Sequence, residues 1–217
     1  MAHIKPFCAI RPNPKLELQF CSKPFQLYSK KELKSTLENC PNSFLQIIKS
    51  NINKTTKNSN KKRFEDVKTA YQNFKDRNLL QKDQDKGFYI QEIKINAHKF
   101  TGITAVASVE DYKNGRIKRH ENTLESRETI FKNYLKTTRF NAEPVLLTYK
   151  NTAALSEVIK DVKKCPETSV LKFSENETLK LWQVTNKELI DQIIKGFENT
   201  DALYIADGHH RSASSVM

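Results

Sequence analysis

Apolar residues recur three and four positions apart in several long segments of the chain, and this spacing predicts amphipathic helices. Polar residues that favour helix N-termini stand before most of these segments. The predicted helices are KKELKSTLEN after the capping residue Ser29, a helix from Lys61, a helix that starts near Asn122 and Glu125, a helix that contains Leu155 to Val162, and a helix after Asn186.

Other segments alternate or run apolar over the length of a strand. The predicted strands are SFLQIIK, FYIQEIKINAHKF, TGITAVASVEDY, PVLLTY, SVLKF, TLKLWQVT and ALYIA. The second and third follow each other directly, so we expect a hairpin that bends at Gly102. In TLKLWQVT, the side chains of Leu179, Leu181 and Gln183 are expected on one face. Because strands and helices mix without strict alternation, the predicted class is α+β (mixed α/β), with a compact mixed β-sheet surrounded by helices.

The 217 residues are enough for a sizeable core, and we expect a single α+β domain over residues 1–217. Residues 50–60 are mostly polar and predict a flexible loop. A helix begun near Gly208 would have only about nine residues before the chain ends, fewer than a typical helix. The chain is therefore interpreted as the N-terminal fragment of a longer protein.

Charge and cysteine content limit the classes of partner. The 37 Lys and Arg residues exceed the 25 Asp and Glu residues, for a net charge of +12. The lysines are scattered among acidic and amide residues, so nucleic acid is not the expected partner. No apolar run has the length of a signal peptide or membrane span, and the four cysteines form no C-x-x-C pair. We expect a cytoplasmic protein with reduced thiols and no membrane association; whether it forms a homodimer is left open.

The segment LYIADGHHRSASS combines an apolar strand, a glycine turn and a helix start. Free N–H groups of a first helical turn attract phosphate, and glycine allows close approach. Phosphate binding is therefore predicted for the turn residues Gly208, His209, His210, Arg211 and Ser212. Asp207, at the strand end, is a candidate ligand for Mg²⁺ or a partner for a histidine. A strand, turn and helix without a ligand is the competing interpretation. A metal cluster of Asp207 with both histidines is disfavoured, because adjacent side chains point apart.

The segment RIKRHENT places His120 and Glu121 beside basic residues where a turn meets a helix start. Either side chain could act as a general base on an alcohol, and the nearby cations could neutralise a transferring phosphoryl group. The alternative is a charged helix entry in which Glu121 only complements the helix dipole.

Five motifs in chain order, IKPFCAIRP, VEDY, GRIKRHENT, AEPVLLTY and DGHHR, resemble the bacterial domain-of-unknown-function 1015 family. That family is similar to the ParB/sulfiredoxin superfamily and its free-serine kinases. The resemblance implies a ParB/sulfiredoxin-like nucleotide-binding element at the C-terminal end, with phosphate on the turn from Gly208 to Arg211. It also implies that His120 and Glu121 lie in the same cleft. One departure is Gln26, which stands where many members carry an acidic residue in a Pro-Pro-Tyr-Asp-Val segment.

The predicted function is an ATP- or ADP-dependent, Mg²⁺-requiring kinase that phosphorylates a small hydroxyl compound such as free L-serine. The alternative is a non-catalytic nucleotide- or nucleic-acid-associated module of the ParB type. A redox enzyme like sulfiredoxin is disfavoured, because its chemistry needs a reactive cysteine beside the turn, and no cysteine lies near Gly208 in the sequence.

Overall fold

The computed structural model describes residues 2–49 and 59–217, and this part of the chain confirms the mixed α+β class with nine α-helices and eleven strands. The strands are β1 Ile4–Lys5, β2 Ile10–Pro12, β3 Leu80–Lys82, β4 Phe88–Ile95, β5 His98–Thr104, β6 Val106–Ala107, β7 Ile117–Lys118, β8 Leu146–Thr148, β9 Ser169–Ser174, β10 Glu177–Val184 and β11 Leu203–Asp207. The α-helices are α1 Glu17–Phe20, α2 Lys30–Asn39, α3 Leu45–Ile48, α4 Asn60–Asp76, α5 Val109–Lys113, α6 Glu125–Thr138, α7 Ala153–Lys163, α8 Lys187–Glu198 and α9 His209–Ser214. None of the helices in the described ranges has the length and apolar content needed to cross a bilayer.

The chain divides into two compact units. The larger unit contains the chain up to Ala9, Asp83–Lys132 and Asn141–Met217, and the smaller unit contains Ile10–Lys82 and Asn133–Phe140. Helix α6 therefore begins in the larger unit and ends in the smaller one. A single domain over the whole chain stays a prediction.

The larger unit contains an antiparallel four-stranded sheet in the order β5-β4-β10-β9 and a three-stranded sheet in the order β7-β11-β8. Helices α7 and α8 pack against each other, and Asn186 caps α8 by accepting a hydrogen bond from the Leu189 N–H. Both helices bury the apolar faces that their sequences predict. On β10 the deeply buried side chains are Trp182 and Val184, whereas the face with Leu179 is half-buried. One continuous core thus supports both sheets.

The hairpin of β4 and β5 confirms the predicted pairing but not its predicted bend. The chain turns after Ile95, where Asn96 adopts a left-handed φ of 54°, and Gly102 lies inside β5 opposite Gln91. Asparagine tolerates this conformation better than most residues, so the tight turn does not need a glycine. The segment VEDY was predicted as the end of the hairpin's second strand, TGITAVASVEDY, but it forms most of helix α5.

The smaller unit has a separate core, formed mainly by Ile47, Val67 and Phe74 with the aromatic residues around them. The prediction of a strand over SFLQIIK is wrong, because these residues form the short helix α3 with both Leu45 and Ile47 fully buried. Helices α2 and α4 are confirmed, and Ser29 and Glu32 form a reciprocal capping box on α2. Of the loop predicted over residues 50–60, residues 50–58 lie outside the described residues.

The close packing of α7 and α8 depends on Gly196. A Cβ atom at this position would lie 2.4 Å from Cδ2 of Leu155, which is fully buried. We expect Gly196→Ala to lower the free energy of unfolding by about 1–3 kcal/mol, the usual cost of overpacking a core. Urea denaturation followed by circular dichroism measures this change. Gly102→Ala is the control, since no atom of the described residues lies within 4 Å of a Cβ there; equal stability of the two variants would contradict the prediction.

Candidate functional site

Two neighbouring strands lead into the two motifs that the sequence singled out. β7 and β11 are parallel, and their register aligns Ile117 with Leu203. His120 and Glu121 follow β7, and His209 follows the end of β11. Because the carboxyl ends of parallel strands meet at one edge of a sheet, this pairing brings distant segments of the chain together.

The turn between β11 and α9 requires glycine. Gly208 has a left-handed φ of 95°, and a Cβ atom there would lie 2.9 Å from Nη2 of Arg211. The Arg211 guanidinium therefore folds back over the turn. Helix α9 has only six residues, so its dipole is small, and the chemistry of the turn depends on its side chains.

His120, Glu121 and His209 form a cluster. The His209 ring is 96% buried, and its Nδ1 lies 2.9 Å from Oε1 of Glu121, whose side chain is 55% exposed. The His120 ring meets the His209 ring edge to face, with 4.4 Å between the ring centroids. One potential ligand atom from each residue lies within 4.8 Å of the others. The two predicted motifs thus meet in a single cluster, which we call the imidazole–carboxylate cluster.

Arg211 is held by two carboxylates. Its Nη2 lies 2.7 Å from Oδ2 of Asp207, and its Nη1 donates to Glu143. Asp207 is 74% exposed and Glu143 is 56% exposed, whereas the Arg211 side chain is only 21% exposed. The cation is therefore fixed in place by two acids that remain accessible to solvent.

Glu143 is the site residue that the sequence prediction missed. It lies two residues before Val145 in the motif AEPVLLTY, which leads into β8, and β8 pairs with β11. The sequence does not show which strands pair. Glu143 can be recognised as a neighbour of the predicted turn only once the pairing of β8 with β11 is known. The predicted partner of Arg211 was a phosphate, and in this structure the guanidinium contacts carboxylates.

Two further residues that were predicted to bind phosphate, His210 and Ser212, lie on α9. The Nδ1 atom of His210 is buried, as is the Nε2 atom of His209, and neither has a hydrogen-bond partner among residues 2–49 and 59–217. The backbone N–H of Ser212 donates within the helix to the Gly208 carbonyl at 2.9 Å. The contacts of Ser212 are thus those of an ordinary helical residue.

A basic cleft adjoins the segment that carries His120. Its volume is about 490 Å³, and its wall includes the cations Lys113, Lys118 and Arg119. Tyr112, Gly115, Ile117 and Val216 complete the wall. Lys113 is paired with an exposed glutamate, a contact that contributes little in water. The cleft therefore offers cations beside apolar and aromatic surface.

One family model matches residues 4–217, almost the whole chain, and its description is "Protein of unknown function (DUF1015)". The chain belongs to this family. No curated protein and no solved structure matches the chain significantly. The family membership agrees with the resemblance of the five motifs. The family description assigns no activity, so the function is inferred from the geometry of the site.

Proposed function

We propose that this DUF1015 protein binds ATP or ADP and transfers the terminal phosphoryl group to a small hydroxyl compound, with free L-serine as the first candidate. The observation that carries this proposal is the convergence of His120, Glu121 and His209 at the carboxyl ends of β7 and β11, with Arg211 on the same helix as His209. Phosphoryl transfer needs an accessible carboxylate together with cations that neutralise the transferred group.

The basic cleft supports a nucleotide as the donor. Lys118 and Arg119 on its wall directly precede His120 in the chain, and Tyr112 and Val216 provide surface for a flat base. A nucleotide combines several negative charges with an aromatic ring, and both parts have a matching surface here. In this arrangement the phosphates point toward the Gly208 turn, where Arg211 can take two phosphate oxygens.

The acids around Arg211 fit the Mg²⁺ ion that accompanies nucleotides. Mg²⁺ prefers carboxylate oxygen and water ligands, and Asp207 and Glu143 are both largely exposed. These two residues would hold the ion, and the ion would supply positive charge that neutralises the phosphates. If Asp207 and Glu143 bind the ion in place of Arg211, the guanidinium is free to contact the transferred phosphoryl group. The carboxylates and the guanidinium would then each keep a partner of opposite charge.

The transfer step assigns a separate role to each residue of the imidazole–carboxylate cluster. Glu121 accepts the proton of the acceptor hydroxyl while the hydroxyl oxygen bonds to the terminal phosphorus of the nucleotide. At the same time, the bond between that phosphorus and the oxygen of the leaving nucleotide breaks. His209 donates a hydrogen bond to Glu121 and acts as a positioning residue. His120 is exposed, and in this proposal it contacts the acceptor as it enters.

The test has a binding arm and a transfer arm. With Mg²⁺, a nucleotide at about a hundred times its Kd should raise the melting temperature by roughly 5–10 °C. Arg211→Ala should lose at least half of that increase. Arg63→Ala, the same change at an exposed position of α4, is the control and should keep it. Phosphoserine formed from serine and nucleotide is then measured by mass spectrometry.

The two arms separate the competing functions. Binding together with phosphoserine supports the kinase, and binding without transfer to any hydroxyl amino acid supports the non-catalytic nucleotide-binding module. A chain that no nucleotide stabilises contradicts the proposal. Salt-sensitive retardation of DNA in a gel would instead favour the nucleic-acid-associated alternative, toward which the net charge of +12 points.

A further inference from the structure

The imidazole–carboxylate cluster has the donor set of a transition-metal site. Two imidazole nitrogens and one carboxylate oxygen are common ligands of Zn²⁺, and imidazole also suits Ni²⁺ and Co²⁺. The acids around Arg211 offer only oxygen atoms, which suit Mg²⁺ better. The two groups of residues therefore differ in the ion that each prefers.

We propose that His120, Glu121 and His209 bind one divalent transition-metal ion of the Zn²⁺ type, separately from any Mg²⁺ that a nucleotide brings. The proposal does not rest on the proposed function, since it concerns the free protein.

The distances in the cluster fit an ion. Two ligands at about 2.1 Å from an ion are about 3.0–3.4 Å apart, depending on the geometry. The Nδ1 atom of His209 and Oε1 of Glu121 are already 2.9 Å apart. All three ligand atoms lie within 4.8 Å of one another, so closure needs a shift of no more than about 1.8 Å. His120 and Glu121 are exposed and can make that shift.

The burial of His209 holds one ligand in place. Its ring is 96% buried, and Nδ1, the nitrogen that faces Glu121, is the atom that would bind the ion. A buried ring has little freedom to turn away, so this ligand is pre-positioned and only the two exposed residues need to move.

The surroundings allow entry and leave coordination positions open. His120 and Glu121 reach solvent, so an ion can approach from outside. Three protein ligands leave at least one position for water, which is the arrangement of catalytic rather than structural zinc sites. If the proposed kinase role of Glu121 is correct, the ion competes with the acceptor proton for the same carboxylate.

The experiment uses the untagged full chain after treatment with EDTA, and contains no nucleotide. Zn²⁺ binding is measured by calorimetry, and Co²⁺ binding by the visible absorption that nitrogen and oxygen ligands produce. We expect one equivalent to bind at the cluster. His120→Ala, Glu121→Gln and His209→Gln should each weaken that binding by at least about tenfold, the loss that even an outer-shell change causes.

Matched controls separate this site from adventitious binding. His98→Ala and Glu175→Gln change exposed residues of the same types elsewhere in the larger unit and should leave the affinity unchanged. His120 is exposed, so its replacement tests the site even if the His209 variant fails to fold. Equal binding by wild type and His120→Ala, or a cobalt spectrum with thiolate bands only, would overturn the proposal. Neither result would bear on nucleotide binding, which is measured separately.

Discussion

Glu121→Gln is expected to lower the rate of phosphoryl transfer by about 10²–10⁴-fold, the usual contribution of a general base. Glutamine has nearly the same size, and its amide oxygen can still accept a hydrogen bond from His209, so the cluster should keep its geometry. It cannot accept the proton of the acceptor hydroxyl. Nucleotide affinity should change little, because the proposed phosphate contacts lie on the Gly208 turn and the basic cleft. The measurement is kcat for phosphoserine formation at saturating nucleotide and serine.

The control for this variant is Glu188→Gln, the same change at an exposed position in the first turn of α8. It should transfer phosphate at the wild-type rate. If Glu121→Gln keeps a kcat within about threefold of wild type, Glu121 is not the base, since general-base catalysis contributes at least about a hundredfold. A parallel loss of nucleotide affinity and rate would assign the residue to binding instead.

One part of the candidate site, the turn after β11, could be predicted from the sequence pattern, whereas the contacts between its residues could not. A fully apolar strand followed by Asp207 and Gly208 is a strong local signal, and β11 and its turn lie where the pattern predicted them. The partnership of His209 with Glu121 was not readable, because it depends on the pairing of β7 with β11. β7 has only two residues, too few for any periodicity. Only the resemblance of the motifs placed the two segments in one cleft.

The disfavoured metal cluster shows the same limit. His209 and His210 are neighbours whose side chains point apart, and this excludes a joint metal site for the two. The second imidazole of the cluster is His120, and only tertiary structure brings its ring to 4.4 Å from that of His209. Likewise, Glu143 became visible as a partner of Arg211 only through the pairing of β8 with β11.

Helix α3 shows why short apolar segments mislead. SFLQIIK fits a buried strand and a buried helical turn equally well, since periodicity cannot separate the two over so few residues. The structure resolves the ambiguity by local hydrogen bonds, in which the Lys49 N–H donates to the Leu45 carbonyl at 2.8 Å. Longer segments such as α7 and α8 carry several repeats of the apolar spacing, and those helices were predicted correctly.

The second large effect concerns Asp111, which lies on α5 close before β7. Its side chain is 99% buried and accepts hydrogen bonds from the backbone N–H of His3 at 2.6 Å and from Nη1 of Arg116 at 3.1 Å. We expect Asp111→Ala to lower the free energy of unfolding by about 3–5 kcal/mol, because it removes two hydrogen bonds to a charged group, each of which contributes about 1.5–3 kcal/mol. Urea denaturation at neutral pH measures the loss. Asp161→Ala, which removes an exposed ion pair with Lys164, should cost no more than about 1 kcal/mol.

The pH dependence of stability gives this prediction a readout that a simple packing defect would not change. Burial raises the pKa of Asp111, but hydrogen bonds from His3 and Arg116 outweigh burial, and the pKa lies below its ordinary value. A carboxyl group with a lowered pKa in the folded state stabilises the protein above its unfolded-state pKa, and this contribution disappears as pH falls through the folded-state pKa. The stability difference between wild type and Asp111→Ala should therefore shrink in acid. A difference that stays constant down to low pH would show that Asp111 contributes through packing, since protonation of the carboxylate removes its ion pair with Arg116.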